Sequence, residues 1–436
     1  MGRDFDAVII GAGVIGAAIA FELSKKGYRT LNVDKLPAAG YGPTSNSCSI
    51  VRAHYSSRDG VAMAHEGFYY WQGWERYLEA SDEAGLARYV QCGTVLLKTP
   101  NGGHHEKVIP HYKSLGVAFE EWDLDTLAKK IPVYATKAYG PPRRPEDPAF
   151  WDEPEQELEG AIFTPGSGYV NDPQLATHNL QRASEAKGAT FRFNEEVVEV
   201  RRGRDRVEGV TLRGGDQVDS PIVVNVAGPH SFVVNRMAGV EDGMNVKTHA
   251  LRHEVHHVPA PPDCDFETDG YHTSDGDTGI YFRPESGNNI IIGSEDPACD
   301  EQVWVADPGS YNRGVTEAQW QAQVYRLARR IPTLRIPTDR RGVVDLYDVS
   351  DDWIPIYDKS DLAGFYMAIG TSGNQFKNAA VVGHMMAELI DEVEHGHDHD
   401  EDPVRIRCRH TGVELDAGFY SRLREVNFQS SFSVNG

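Results

Sequence analysis

The sequence predicts an α/β fold class in which a parallel, strand–helix–strand domain is interleaved with an α+β domain built on an antiparallel sheet. Three observations predict it. Residues 6–34 read as strand, helix and strand around a glycine-rich turn. Residues 248–300 alternate apolar and polar positions, as antiparallel strands between Gly and Asp turns do. Patterns of the first kind return at 364–392, so the chain leaves one domain and comes back to it.

Composition narrows the class. A chain of 436 residues with 40% hydrophobic and 25% charged residues suits two joined globular domains. Its formal charge of −22 argues against a nucleic-acid surface, which needs clustered Lys and Arg. Cys48, Cys92, Cys264, Cys299 and Cys408 are scattered without a CxxC pair, so neither a zinc site nor a disulfide framework is indicated. The apolar run at 7–20 is too short to span a bilayer and follows an acidic stretch, wrong for a secretory leader. The expectation is a cytoplasmic protein without a membrane span.

The elements follow in order. Asp6 to Ile10 is a short apolar strand of the kind buried on both faces. Val14 to Lys26 places Ile15, Ala18, Ile19 and Leu23 at helical spacing, and Gly27 ends it. Thr30 to Val33 is the second strand. An aromatic-rich helix is expected over 63–86 and a Pro-rich, acidic surface loop over 140–160. A helix at 173–187 precedes strands at 190–192, 197–201, 207–212 and 222–226, then antiparallel strands at 250–257, 279–283 and 289–293. Helices at 316–330 and 378–392 flank a strand at 364–369. His395 to Asp400 reads as an acidic, His-rich linker rather than a metal site, and no metal is expected.

Gly11-Ala-Gly-Val-Ile-Gly16 matches GxGxxG in the context that gives this motif meaning: a strand before it, a helix after it, and Asp34 closing the next strand. Gly11 permits the tight turn, Gly13 lets a pyrophosphate approach the backbone, and Gly16 allows close helix–strand contact. The helix N-terminus offers free N–H groups and partial positive charge to phosphates. Asp34 suits hydrogen bonds to a ribose and would repel a 2′-phosphate. The motif alone leaves FAD and NAD open; the interleaved order favours FAD.

Six further segments resemble the D-amino-acid oxidase superfamily of FAD-dependent oxidoreductases, in its sarcosine oxidase and glycine oxidase branch. They are Ser45 to Arg52, Gly168 to Pro173, Val224 to Ser231, Tyr281 to Pro284 with Ile291 to Gly293, Leu346 to Pro355, and Gly370 to Lys377. The resemblance spans roughly 5–392 and implies a Rossmann-like FAD-binding domain at 1–85, 160–245 and 340–395, a substrate domain at 86–159 and 246–339, and a C-terminal extension at 396–436. With the glycine motif it makes Gly11, Gly13, Val14, Ile15, Gly16, Asp34, Lys35, Ser45, Ser47, Cys48, Ser49, Val197, Ala227, Gly228, Gly370, Gly373, Asn374, Gln375, Phe376 and Lys377 the candidate cofactor-binding residues. Asn374 and Gln375 depart from the family's His-Gly. Asp345 and Asn171 stand where relatives attach flavin covalently through Cys or His, and no His lies between Thr44 and Arg52, so the resemblance implies FAD held without a covalent bond.

The activity so implied is oxidation of a small amine or amino acid, N-methyl or secondary amino acids first, by hydride transfer to flavin N5 with later hydrolysis of the imine. O2 or another electron acceptor completes the cycle. A D-amino-acid dehydrogenase using an electron carrier, and a flavin-binding subunit of a hetero-oligomeric complex, stay open, as does homo- or hetero-oligomeric state. Lys377, Tyr347, Arg283, Arg52 and Tyr281 are the candidate catalytic residues. Arg52, Arg283 and Lys377 offer charge-assisted bonds to a substrate carboxylate, although Arg52 and Arg283 equally suit structural ion pairs. Tyr347 and Tyr281 would close the cavity. His54, His253 and His256 are read as structural or exposed, and none is assigned as a base.

Overall fold

Four consecutive apolar residues, Ala7–Ile10, are buried throughout, which suits the centre of a sheet rather than its edge. In the computed structural model, which describes residues 5–100 and 103–436, that strand is central. The six-stranded sheet runs Ile356–Lys359, Phe365–Ile369, Ile222–Asn225, Ala7–Ile10, Thr30–Asp34 and Thr190–Phe193. Every pair is parallel except the first. Alternate side chains serve two layers. Ala7 and Ile9 join a core with the helices Val14–Lys25, Pro173–Ala186 and Ala379–Glu394. Val8 and Ile10 face the three-stranded antiparallel layer Val197–Arg202, Val207–Leu212 and Gln217–Asp219. The period of two along each strand thus becomes a three-layer domain.

The second sheet has nine strands in the order Val303–Val305, Thr248–Pro259, Asn289–Ser294, Ile280–Glu285, His272–Asp275, Thr94–Lys98, Gly160–Thr164 and Glu120–Trp122, with Gly342–Ser350 also paired to Thr248–Pro259. It is antiparallel apart from the pair His272–Asp275 with Thr94–Lys98. Helix Glu317–Arg330 covers it, burying Trp320, Val324 and Leu327 against Val258, Ile280 and Ile292.

Several borders differ from the sequence pattern. Gly160–Thr164 and Gly342–Ser350, which the pattern places in the parallel domain, pair within the antiparallel sheet. Long-range pairing decides such strands, and local alternation does not reveal the partner. The helix expected over 63–86 starts earlier, as Arg58–Gln72 under an Ser57 cap, breaks at Gly73, resumes as Trp74–Leu78 and stops where Glu79 turns left-handed. In residues 396–436, Arg405–Arg407 pairs with Glu414–Asp416 and Ile406, Leu415 and Tyr420 enter the helix core, while Val434 packs with Leu251, Tyr281 and Val349 of the antiparallel sheet. Among the described residues no helix is long and apolar enough to cross a membrane.

Candidate active site

The glycine turn is fixed by contact, not by preference alone. Gly11 has φ +122°, and a Cβ there would sit 2.3 Å from the Val226 carbonyl oxygen. A Cβ on Gly16 would sit 2.4 Å from the Gly11 oxygen, so only glycine lets the helix meet the turn this closely. Asn32 Nδ2 ties both together, donating to Gly11 O at 3.1 Å and Gly16 O at 3.2 Å. Helix Val14–Lys25 starts at Gly13 with no side-chain cap and no acid in its first turn. Val14 N donates to Thr44 Oγ1 at 3.3 Å, and the helix start lines a cavity of about 500 Å³ with Gly11, Gly13, Val14, Ile15 and Gly16. Asp34, on the same wall, accepts from Ala12 N at 2.8 Å and Leu36 N at 2.9 Å, while burial pushes its carboxyl up.

The cavity runs from that turn to the antiparallel sheet. Lys35, Ser47, Cys48, Ser49, Val197, Ala227, Gly228, Gly373, Asn374, Gln375, Phe376 and Lys377 all line it, as do Arg52, Tyr281 and Tyr347. Ser45, Gly370 and Arg283 do not. Ser45 Oγ donates to Gly42 O at 2.9 Å, and Gly370 N donates to Asp348 at 2.7 Å, so both act as supports behind the wall. Arg283 is buried with its Nε on Cys48 O at 2.7 Å, its Nη1 3.0 Å from Glu285, and its guanidinium 4.3 Å above the Tyr169 ring. Its charge is consumed in bracing the segment around Cys48, the bracing role that its sequence position had left open.

Arg52 and Lys377 stand at the end of the cavity nearest that sheet. Arg52 donates through Nη1 to His54 O and through Nη2 to Val434 O, and its Cζ lies 4.9 Å over the Tyr55 ring. Lys377 Nζ donates to the Tyr55 hydroxyl at 2.9 Å and to Asn374 O at 2.5 Å. Burial first, and Arg52 second, hold its ammonium well below the usual lysine range. Tyr281 and Tyr347 lie with hydroxyls 3.5 Å apart, Cys48 Sγ is 3.6 Å from Tyr281, and His253 stacks on Tyr347 at 4.0 Å. Burial raises both phenols, so they remain protonated.

Sequence reasoning missed His272, Ser274, Glu295, Val434 and Asn435, which also line this end. His272 stacks on His54 at 6.1 Å and bonds Thr94 Oγ1 through Nδ1 at 2.9 Å. Burial holds both imidazoles well below their usual range and therefore neutral. Glu295 comes two residues after the Ile291–Gly293 segment, a signal that was present. The approach of Val434 had none, because its partners, from Trp353 back to Cys48 and Arg52, lie far outside any local window.

The residues fit an FAD. The cradle would be filled by any Cβ, the helix's first turn holds no acid, and Asn374 Nδ2 is a buried cavity-side donor without a partner among the described residues. Known proteins agree. A glycine oxidase from Geobacillus kaustophilus (strain HTA426) is 22% identical over 401 residues, 90% of this chain and 95% of its own. An N-methyl-L-tryptophan oxidase from Yersinia pestis (strain Pestoides F) is 22% identical over 48% of this chain and 50% of its own. The crystal structure of L-proline dehydrogenase from P. horikoshii shares the fold with TM-score 0.76 at 19% identity, covering 98% of this chain and 100% of that one. Residues 6–389 match the family described as FAD dependent oxidoreductase (DAO), and the chain is a member of that family of FAD-dependent enzymes.

Proposed function

We propose that the chain oxidises a small amine or amino acid, N-methyl or secondary amino acids first, with FAD held without a covalent bond. The observation that carries this is the pairing of Arg52, fixed by two main-chain carbonyls, with Lys377, held by the Tyr55 hydroxyl and Asn374 O, on the cavity that starts at the glycine turn. Relatives named for N-methyl-L-tryptophan, glycine and L-proline support the substrate class.

When bound, FAD supplies the acceptor, at N5, for the hydride leaving the substrate C–H. Gly11, Gly13 and the open end of helix Val14–Lys25 would hold its pyrophosphate, and Asp34 its ribose. Arg52 has donors left beyond His54 O and Val434 O and anchors a substrate carboxylate. Lys377, whose Nζ donates to the Tyr55 hydroxyl and Asn374 O, stands beside that anion as a further nitrogen donor. Tyr281 and Tyr347 close the chamber with protonated hydroxyls and keep water from the reacting carbon. The imine released hydrolyses in water. Asp345, at the position where relatives carry a flavin-linking Cys, accepts from Asn46 at 2.7 Å and Tyr311 at 3.1 Å and offers no thiol.

Anaerobic mixing of the yellow protein with N-methyl amino acids, D-amino acids and polyamines tests the proposal. Bleaching by one class is expected, and acid precipitation should release the flavin to the supernatant. A flavin that no amine reduces overturns it. Oxygen uptake against dye reduction then separates oxidase from dehydrogenase.

A further inference from the structure

We propose that Glu295 receives a non-reacting cationic group of the substrate, so that the chamber selects a basic amino acid or diamine over a neutral analogue. This rests on the amine-oxidising function proposed above.

Five other acids line the cavity. Asp34 accepts two backbone N–H groups at the nucleotide end. Glu195 and Glu196 lie at that end too, and Glu196 pairs with Arg213 at 2.7 Å. Asp345 accepts from Asn46, Tyr311 and its neighbour's N–H, and Asp348 from Gly370 N. Glu295 differs. It stands on the wall shared by Tyr281, Arg52 and His272. Its carboxylate accepts from the Ser274 hydroxyl and from the Asn435 side chain, and among the described residues no cation forms an ion pair with it.

Its surroundings leave a negative charge to be matched from inside the cavity. The Arg52 guanidinium, which the substrate carboxylate shares, lowers the Glu295 carboxyl only in part, and the Asp275 carboxylate, although paired with Arg330 at 2.8 Å, raises it. His54 and His272 are neutral, so neither serves as a counter-ion. Burial accordingly pushes the Glu295 carboxyl up to about 7, which a cation lodged beside it would reverse. A half-buried carboxylate without an ion-pair partner carries part of the desolvation cost of its charge, and a ligand cation offsets that cost on binding.

The cation cannot be the reacting nitrogen. Hydride leaves the carbon only when that nitrogen is unprotonated, and a carboxylate beside it would hold its proton on. A second basic group, farther along the substrate, meets both demands: Arg52 takes the carboxylate and Glu295 the remote ammonium or guanidinium.

The test compares Nα-methyl-lysine with Nα-methyl-norleucine, which differ by the terminal ammonium, in anaerobic flavin reduction by the FAD-loaded wild type and Glu295→Gln. The wild type is expected to favour the lysine compound by at least about tenfold in rate constant over Kd. In Glu295→Gln that preference falls at least about tenfold, and Glu295→Asp restores part of it. Flavin absorbance before mixing certifies that each variant is folded and loaded. Should Glu295→Gln lose its flavin, the wild type alone answers: n-butylammonium should inhibit reduction competitively and n-butanol should not. An unchanged preference in Glu295→Gln, a wild type that favours norleucine, or inhibition by both butyl compounds overturns the assignment. If neither amino acid nor any other amine bleaches the bound flavin, the amine-oxidising function itself fails, which is a different result from a lost preference.

Discussion

Arg52 and Val434, 382 positions apart in the chain, meet at the chamber wall, where the guanidinium Nη2 donates to the valine carbonyl. With Nη1 on His54 O and the Tyr55 ring 4.9 Å beneath, the guanidinium is held flat and fixed before any ligand arrives. A pre-positioned charge loses little entropy on binding and so contributes more to orientation.

Arg52→Lys keeps a positive charge and removes the planar fork. Loss of a charge-assisted bond is worth about 1.5–3 kcal/mol, so binding of carboxylate-bearing substrates should weaken roughly ten- to a hundredfold. Titrating a carboxylate inhibitor into both proteins, followed by the flavin spectrum, measures this. Equal Kd values would mean that the carboxylate sits elsewhere.

Gly16→Ala places a methyl 2.4 Å from the Gly11 oxygen, a backbone atom that cannot rotate away. The turn and helix must separate, at more than about 2 kcal/mol, and the pyrophosphate cradle opens. The variant should purify with little flavin, as the ratio of flavin to protein absorbance will show, and melt several degrees lower.

Asp348 carries a pH signature. Burial raises its carboxyl to about 7 from 3.8, although Gly370 N donates to it. The folded protein therefore keeps a proton that the unfolded chain releases. Its stabilising contribution is complete below pH 3.8, declines as pH rises, and is gone above about 7. Asp348→Asn does not titrate. The stability difference, wild type minus variant, should thus fall by a few kcal/mol between pH 4 and 7, on the order set by 1.36 kcal/mol per pH unit. Parallel urea midpoints across that window would show that Asp348 is ionised in the fold.

How far the sequence foretold this site follows from the range of each interaction. The glycine turn, Asp34 and helix Val14–Lys25 are local, so spacing alone located them. Lys377, Tyr347 and Tyr281 were found through segment resemblance and do line the cavity. Arg283 shows the limit of that method, because residue type and strand position cannot tell a ligand-facing guanidinium from one turned onto Cys48 O and Tyr169. Strand Gly342–Ser350 and residues Val434 and Asn435 depend on partners that no window contains.

Arg330 holds the sheet under the chamber. Fully buried, it donates to Asp275 at 2.8 Å, Asp277 at 2.9 Å and Lys137 O at 3.0 Å, fastening helix Glu317–Arg330 to the strand that presents His272 and Ser274. Arg330→Met leaves two buried carboxylates without their cation and should cost about 3–5 kcal/mol. Adding Asp275→Asn and Asp277→Asn should return much of it. Urea unfolding of the single and triple variants checks both halves, and an Arg330→Met protein as stable as wild type would contradict the geometry.

Val434 tests whether the tail is wall or ornament. It is buried with Cys48, Tyr281, Val349 and Trp353, and Ser56 N donates to Asn435 O at 3.3 Å beside it. Removing two methyls from such a cluster costs roughly 1–3 kcal/mol and leaves space that the rigid sheet cannot fill. That space adjoins the Tyr281 ring, so Val434→Ala should accept bulkier amines, with the ratio of large to small substrate in flavin reduction rising several-fold. It should also expose the Cys48 thiol, which burial keeps protonated and enclosed. Faster labelling of Cys48 by a neutral maleimide, relative to Cys408, reports that opening without reference to catalysis. If labelling and substrate ratio both stay at wild-type values, the tail does not bound the chamber, and the bond from Arg52 to Val434 serves the fold alone.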